Sequence, residues 1–128
     1  MFTGCHLLRQ QSHAQTAAST RHPVMVGGRR VTTIDVPAHV IVPEAEALMG
    51  IKTPPGDASV IEGSMAADRF QRMDEWRTDM QALSIRPIWY TLGRDLASKV
   101  INLQNERLAA LCAAHPDRFV GLASVAPQ

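Results

Sequence analysis

The chain has 128 residues, of which 45% are hydrophobic and 20% charged, with a formal net charge of +1. That is enough for one domain with its own core, and too apolar for a disordered chain. The near-neutral balance, with no basic patch interleaved with aromatics, argues against nucleic acid or anionic lipid as a partner, and no run of about 18 apolar residues exists to span a membrane.

Residues 1–30 contain no acidic residue; the first is Asp35. They are rich in Gln, Ser, Thr, His and Arg without a steady period, and read as a disordered leader. Phe2-Thr3-Gly4-Cys5 is similar to the end of a lipoprotein signal, and Ser12-His13-Ala14 to a small-x-small cleavage site. An export signal also needs a basic start and about 7–15 apolar residues before the cut, and neither is present. The location is left open: cytoplasmic, or periplasmic if residues 1–14 end a longer signal. The two cysteines, Cys5 and Cys112, lie far apart in unlike contexts, which argues against a disulfide framework.

From Val31 onward the pattern changes. Val31–Val36 is short and β-branched and reads as a first strand, entered through Gly27-Gly28. Residues 37–67 carry Pro37, Pro43, Pro54-Pro55-Gly56 and Gly63, a long excursion with one helical turn near Glu44–Leu48. The Glu44 and Glu46 carboxylates read as a solvated loop face. Phe70, Met73, Trp76, Met80 and Leu83 recur every three or four residues, so a helix is predicted over 68–83, with Asp68 and Gln71 as a capping box. In that stripe Phe70 and Trp76 are expected in a core or interface.

A strand is predicted over 85–91, with pairing that begins after Pro87. A second helix follows over 95–114, capped by Asp95 and stopped by Pro116. Its apolar face includes Leu96, Val100, Leu103, Leu108, Leu111 and Cys112. Phe119–Val125 is almost all apolar or small, as in a strand of a parallel sheet covered on both faces. The order strand, long loop, helix, strand, helix, strand makes two βαβ units. It leaves a doubly wound sheet and a (β/α) barrel both open. No GxGxxG or Walker-type loop follows any strand, which counts against a nucleotide site.

The first strand runs into Ile34-Asp35-Val36-Pro37-Ala38-His39 and on to Pro43. Residues two apart on a strand share a face, so two histidines at that spacing could hold one metal. This segment resembles the Asp-x-His-x-His-x-x-x-Pro opening of the amidohydrolase-related family, which includes aminocarboxymuconate-semialdehyde decarboxylase. Arg77-Thr78-Asp79-Met80 through Ser84-Ile85 resembles that family's R-x-x-D-M-D-x-x-G-I passage, with Ser84 in place of the glycine. Asn105 to Leu108, running to His115-Pro116-Asp117-Arg118-Phe119-Val120-Gly121, resembles its N-x-x-L to H-P-D-R-F-x-G passage. Together the three cover residues 31–126.

The resemblance implies that residues 31–128 are the N-terminal portion, about three strands and two main helices, of a (β/α)8 TIM barrel. A closed barrel takes about 250 residues. It further implies a divalent metal, zinc by expectation, and a small carboxylic acid substrate that is decarboxylated or hydrolysed. A homo-oligomer is compatible with it. His39 matches the second histidine and is the candidate metal ligand, while Pro37 occupies the place of its partner and has no ligand atom. Asp35 is read as a supporting residue without a catalytic role. Trp89 and Tyr90, near the end of the second strand, are candidates for lining the substrate pocket. His115, Asp117 and Arg118 lie where a helix feeds a strand, opposite the active face of a barrel, and read as structural. With most ligands beyond the chain, the 128-residue polypeptide is expected to be inactive alone. The alternative is a non-catalytic α/β fragment or pseudo-enzyme that acts through a partner.

Overall fold

The computed structural model describes residues 22–56, 60 and 65–126. The export features read in residues 1–14 lie outside this range. Residues read from the sequence as the end of a leader form an antiparallel hairpin, β1 (Val24–Val26) with β2 (Arg29–Val31). Gly27 and Gly28, both at positive φ, make its two-residue turn.

The first strand of the main sheet, β3, spans Ile34–Val40, not 31–36. Pro37 does not terminate it. β3 is an edge strand, and a register shift places Val36 and Pro37 opposite the single residue Ala82. A proline that lacks an N–H is tolerated at such an edge irregularity. A short helix, α1 (Pro43–Leu48), follows with its proline in the first turn. Glu46 is buried and accepts a hydrogen bond from the Thr53 hydroxyl, while Glu44 pairs with Arg107 at 2.8 Å. The expectation of a solvated Glu44–Glu46 face is therefore corrected: both carboxylates hold α1 in place.

Helix α2 spans Met65–Glu75 and is much shorter than the period predicts. Asp68 lies inside its first turn and does not cap it. The helix ends because Arg77 takes the left-handed conformation at φ 57°. The Arg77 amide donates to the Asp74 carbonyl at 3.1 Å, and the Thr78 amide donates to the Met73 carbonyl at 2.7 Å. That pair of bonds is a Schellman stop with arginine where glycine is usual. Met80 and Leu83, expected on the helical stripe, belong to strand β4 (Met80–Ile85), so the strand predicted over 85–91 begins where β4 ends. β4 ends before Pro87.

Helix α3 (Arg94–Ala114) agrees with its prediction to one residue, although Gly93 sits at its N-cap and Asp95 in its first turn. Strand β5 covers Phe119–Gly121, shorter than 119–125. Beyond it Asn105 holds Ser124 through two 2.9 Å hydrogen bonds to its backbone.

The main sheet has the order β3-β4-β5, all parallel. Neighbouring strands follow one another in sequence, with no reversal of order. Both crossover helices meet on one side. Phe70 of α2 stacks on Phe119 of β5 at 5.3 Å and meets the His115 ring, just past α3, at 4.9 Å. A doubly wound sheet reverses its order and carries helices on both faces. The arrangement is therefore the start of a (β/α) barrel.

The core lies between sheet and helices. Val40, Leu83, Ala97, Val100 and Met73 are each at most 1% exposed. Arg118 is buried beneath α2, paired with Asp74 at 2.8 Å, with its guanidinium 5.3 Å from the Phe70 ring. The passage around His115 and Arg118 is structural, as its sequence position suggests.

One carboxylate ties the hairpin to the sheet. Asp79 accepts from the Thr33 amide at 2.9 Å and from Arg30 Nη2 at 2.9 Å. The Asp79 amide returns a bond to the Thr33 carbonyl at 3.0 Å. The Thr33 amide foremost, helped by Arg30, holds the Asp79 carboxyl below its ordinary pKa against the opposing effect of burial. The folded chain thus binds this proton more weakly than the unfolded chain. Its stabilisation is complete above the ordinary aspartate range and is lost as pH falls through the depressed value. Asp79→Ala is expected to cost about 1–3 kcal/mol at neutral pH. It should also flatten the acid limb of a plot of urea midpoint against pH; an unchanged limb would count against the assignment.

Candidate functional site

The two strands that matter, β3 and β4, run in register at their carboxyl ends: Ala38 faces Leu83, His39 faces Ser84, and Val40 faces Ile85. Ala38, Val40, Leu83 and Ile85 are buried against the helices. Alternation then turns His39 and Ser84 to the opposite, inner face of the sheet. There the Ser84 hydroxyl lies 3.1 Å from His39 Nδ1. Ser84 is thus a strand residue whose hydroxyl meets the imidazole.

Asp35 goes the other way. It pairs with Gln81, and the Gln81 amide nitrogen donates to Asp35 Oδ2 at 2.9 Å. Arg69 of α2 donates from Nε to Gln81 Oε1 at 2.7 Å and from Nη2 to the His39 carbonyl at 3.2 Å. This chain lies on the helix side of the sheet, beneath α2. Burial lowers the Arg69 pKa, the neighbouring Arg72 charge adds to that, and Asp35 opposes it. A guanidinium remains charged under such shifts. Beside it, along the free edge of β3, lies a cavity of about 250 Å³ whose lining includes Asp35, Pro37, Arg69, Arg72, Met73 and Trp76.

Of the candidate residues, His39 and Pro37 both line this cavity, and Trp89 and Tyr90 do not. His39 stands on the inner face with Ser84. Pro37 lines the cavity at the strand edge. Trp89 is 3% exposed and part of the core, so it is a packing residue rather than a wall of the inner face. Tyr90 is exposed after the carboxyl end of β4, with its ring 5.8 Å from that of Trp89. Trp76, expected in a core or interface, is 69% exposed. Sequence reasoning missed Arg69 and Gln81 entirely. A buried arginine on a helix carries no periodic signal, and its partner stands on another element.

Among the described residues, no three His, Cys, Asp or Glu side chains lie close enough to hold a metal ion. His39 Nδ1 lies beside the Ser84 hydroxyl, and Pro37 offers no donor atom. A stable zinc site takes three or four protein ligands. The residues present therefore do not fit a resident metal by themselves.

No protein-family model matches the chain. No curated protein matches it either. Solved structures do. A Staphylococcus aureus protein described as an amidohydrolase superposes with a TM-score of 0.61 at 23% identity, over 74% of this chain and 28% of that one. The 5-carboxyvanillate decarboxylase of Novosphingobium aromaticivorans, solved with manganese and 4-hydroxy-3-methoxy-5-nitrobenzoic acid, gives 0.60 at 19% identity, over 76% and 34%. A 2,6-dihydroxybenzoate decarboxylase bound to 2,6-dihydroxybenzoate gives 0.50 at 23% identity, over 72% and 29%. The chain has the fold of the opening part of these (β/α) barrels. It spans about a third of the length of each of these proteins. Among the described residues, no helix is long and apolar enough to cross a membrane.

Titrated with zinc, the 128-residue chain is expected to show no tight site that depends on His39. Calorimetry on the chain and on His39→Ala checks this. A micromolar site present in the first and lost in the second would show that the imidazole has partners beyond Ser84.

Proposed function

We propose that this chain supplies the first part of a metal-dependent amidohydrolase-related enzyme that acts on a small organic acid. The reaction is decarboxylation of an unsaturated or aromatic acid, or hydrolysis of a carbon–nitrogen, ester or lactone bond. The observation that carries the reading is the placement of His39: inner face, carboxyl end, first strand of a sequentially ordered parallel sheet. Barrel enzymes place their chemistry at that end of the strands. The fold match to two decarboxylases, one with manganese and one with a dihydroxybenzoate, supports the substrate class and a divalent ion, zinc or manganese.

In this reading His39 contributes to a site completed by residues outside positions 22–126. The ion would polarise the substrate carboxylate or activate water. What this chain itself does is narrower. Ser84 fixes the imidazole ring, and exposed Tyr90 stands near the same rim to meet substrate. The 128-residue chain alone has no turnover.

The test compares two polypeptides: this chain, and the product of the whole uninterrupted reading frame in which it lies. Both are assayed with manganese or zinc for carbon dioxide release from hydroxybenzoates and for hydrolysis of small amides and lactones. The longer product is expected to be active, and His39→Ala to lower its kcat/KM by about 10–100-fold or more. Turnover by the 128-residue chain that vanishes with a chelator would overturn the view that it supplies only a part.

A second reading has its own support. β3 and β5 are the edges of the sheet, and Ile34, Val36, Val120 and Leu122 are exposed large hydrophobics on or beside it. Unpaired edges invite another chain. A frame that stops at Gln128 and yields a stable, catalytically silent protein found in a complex would favour a non-catalytic role through a partner.

A further inference from the structure

Strand β3 is tied to β4 in two separate blocks. Ile34 and Asp35 pair with Met80 and Gln81, while Ala38, His39 and Val40 pair with Leu83, Ser84 and Ile85. Between the blocks Val36 and Pro37 oppose the single residue Ala82, so no regular ladder carries one block into the other. A slip of one residue in either block would turn each of its side chains to the opposite face. In the second block His39 would leave the inner face, and buried Ala38 and Val40 would enter it.

One side chain spans the break. Arg69 of α2 donates from Nε to Gln81 Oε1 at 2.7 Å, and Gln81 Nε2 donates to Asp35 Oδ2 at 2.9 Å. Those bonds reach the first block. The same guanidinium donates from Nη2 to the His39 carbonyl at 3.2 Å, which reaches the second. A guanidinium is a planar fork, so the directions of its two bonds are fixed relative to each other. Ala38 and Val40 press the second block against the helices, but they do not set its distance from Asp35. Arg69 does.

The fork is itself held firmly. Arg69 is 8% exposed and Gln81 6%. One turn further along α2, Met73 is 1% exposed and Asp74 is paired with buried Arg118 at 2.8 Å. The helix is therefore anchored independently of β3. A carbonyl oxygen has two lone pairs, so a further strand laid along the edge of β3 can share the His39 oxygen without displacing Arg69.

We infer that Arg69 is a positioning residue for His39: by bridging the two blocks it holds the irregularity at Val36-Pro37 and keeps the imidazole on the inner face beside Ser84. It acts through the His39 backbone and touches no substrate. Its bearing on catalysis rests on the reading of His39 given above; its bearing on the orientation of His39 does not.

Nuclear Overhauser contacts in the 128-residue chain test this, because those between the His39 ring and the Ser84 β-protons report the register directly. Arg69→Met keeps an unbranched stem and removes every donor. It is expected to weaken the His39–Ser84 contacts at least several-fold, while those between Thr33 and Asp79, just ahead of the same two strands, persist. Arg69→Lys keeps the charge but replaces the fork with one nitrogen, and should weaken them roughly two-fold. A variant that melts earlier yet keeps the His39–Ser84 contacts would show that Arg69 only stabilises the fold, and overturns the inference. Unchanged contacts in Arg69→Lys do so even if Arg69→Met does not fold. Without any variant, an Arg69 Nε–H that exchanges with water as fast as that of exposed Arg86 also overturns it. In the longer product described above, Arg69→Met should lower kcat roughly 10- to 100-fold with little change in KM. Unchanged kcat would overturn the inference and leave the functional reading standing. An inactive unaltered product would sink that reading, and the register contacts would still decide on Arg69.

Discussion

Strand β3 pairs with β4 in two blocks, Ile34–Asp35 and Ala38–Val40, separated by a shift in which two residues oppose one. Residues four apart on a regular strand share a face. Without the shift, Asp35 and His39 would point the same way. With it, Asp35 turns beneath α2 and joins Gln81 and Arg69, while His39 turns to the inner face and meets Ser84. One inserted residue thus divides a single sequence motif between two sides of the sheet. The division stands because each half is anchored: Gln81 and Arg69 satisfy Asp35, and Ala38 and Val40 lock the second block into the core. A buried arginine with no carboxylate or amide to meet would be costly. The irregularity and the polar chain beneath α2 therefore depend on each other.

How far this could be read from the sequence differs by element. Helix α3 was legible because 21 residues of helical period, bounded by Gly93 and Pro116, leave few alternatives. The βαβαβ order and the parallel sheet were legible for the same reason at a coarser scale. Helix α2 and strand β4 were not. Phe70, Met73, Trp76, Met80 and Leu83 keep a helical spacing straight through a chain reversal at Arg77. No glycine marks the stop, and the Schellman bonds that make it are backbone bonds any residue can supply once it accepts a left-handed φ. The hairpin at 24–31 escaped because its strands are three residues long, too short for alternation to be counted.

The candidate site divides along the same line. His39 could be placed on the inner face because its reading needed only strand and direction. Trp89 was expected near a pocket and lies in the core, because the strand ends at Ile85 and the chain then folds back over the hydrophobic layer. Trp76 was expected in a core and is exposed, because the helix that would have buried it stops one residue before it. Both corrections follow from the same four-residue passage, Trp76 to Asp79. An error in where one helix ends propagates into which of two tryptophans is exposed.

Ser84 shows why resemblance of pattern is a weaker guide than the partner a side chain meets. By position it stands where the family-like passage carries glycine, a change that costs little in any loop. In the structure it is paired across the sheet with the one histidine of the inner face, 3.1 Å from Nδ1. If the hydroxyl donates, the imidazole keeps its proton on Nε2 and presents a donor to the open face. If the hydroxyl accepts, Nε2 is bare and can take a metal or a proton. The same pair thus serves a carboxylate in one tautomer and a cation in the other. What lies opposite the inner face selects between them. Among the described residues, no cluster of metal-ligating side chains stands beside this imidazole to draw it toward the metal-binding form.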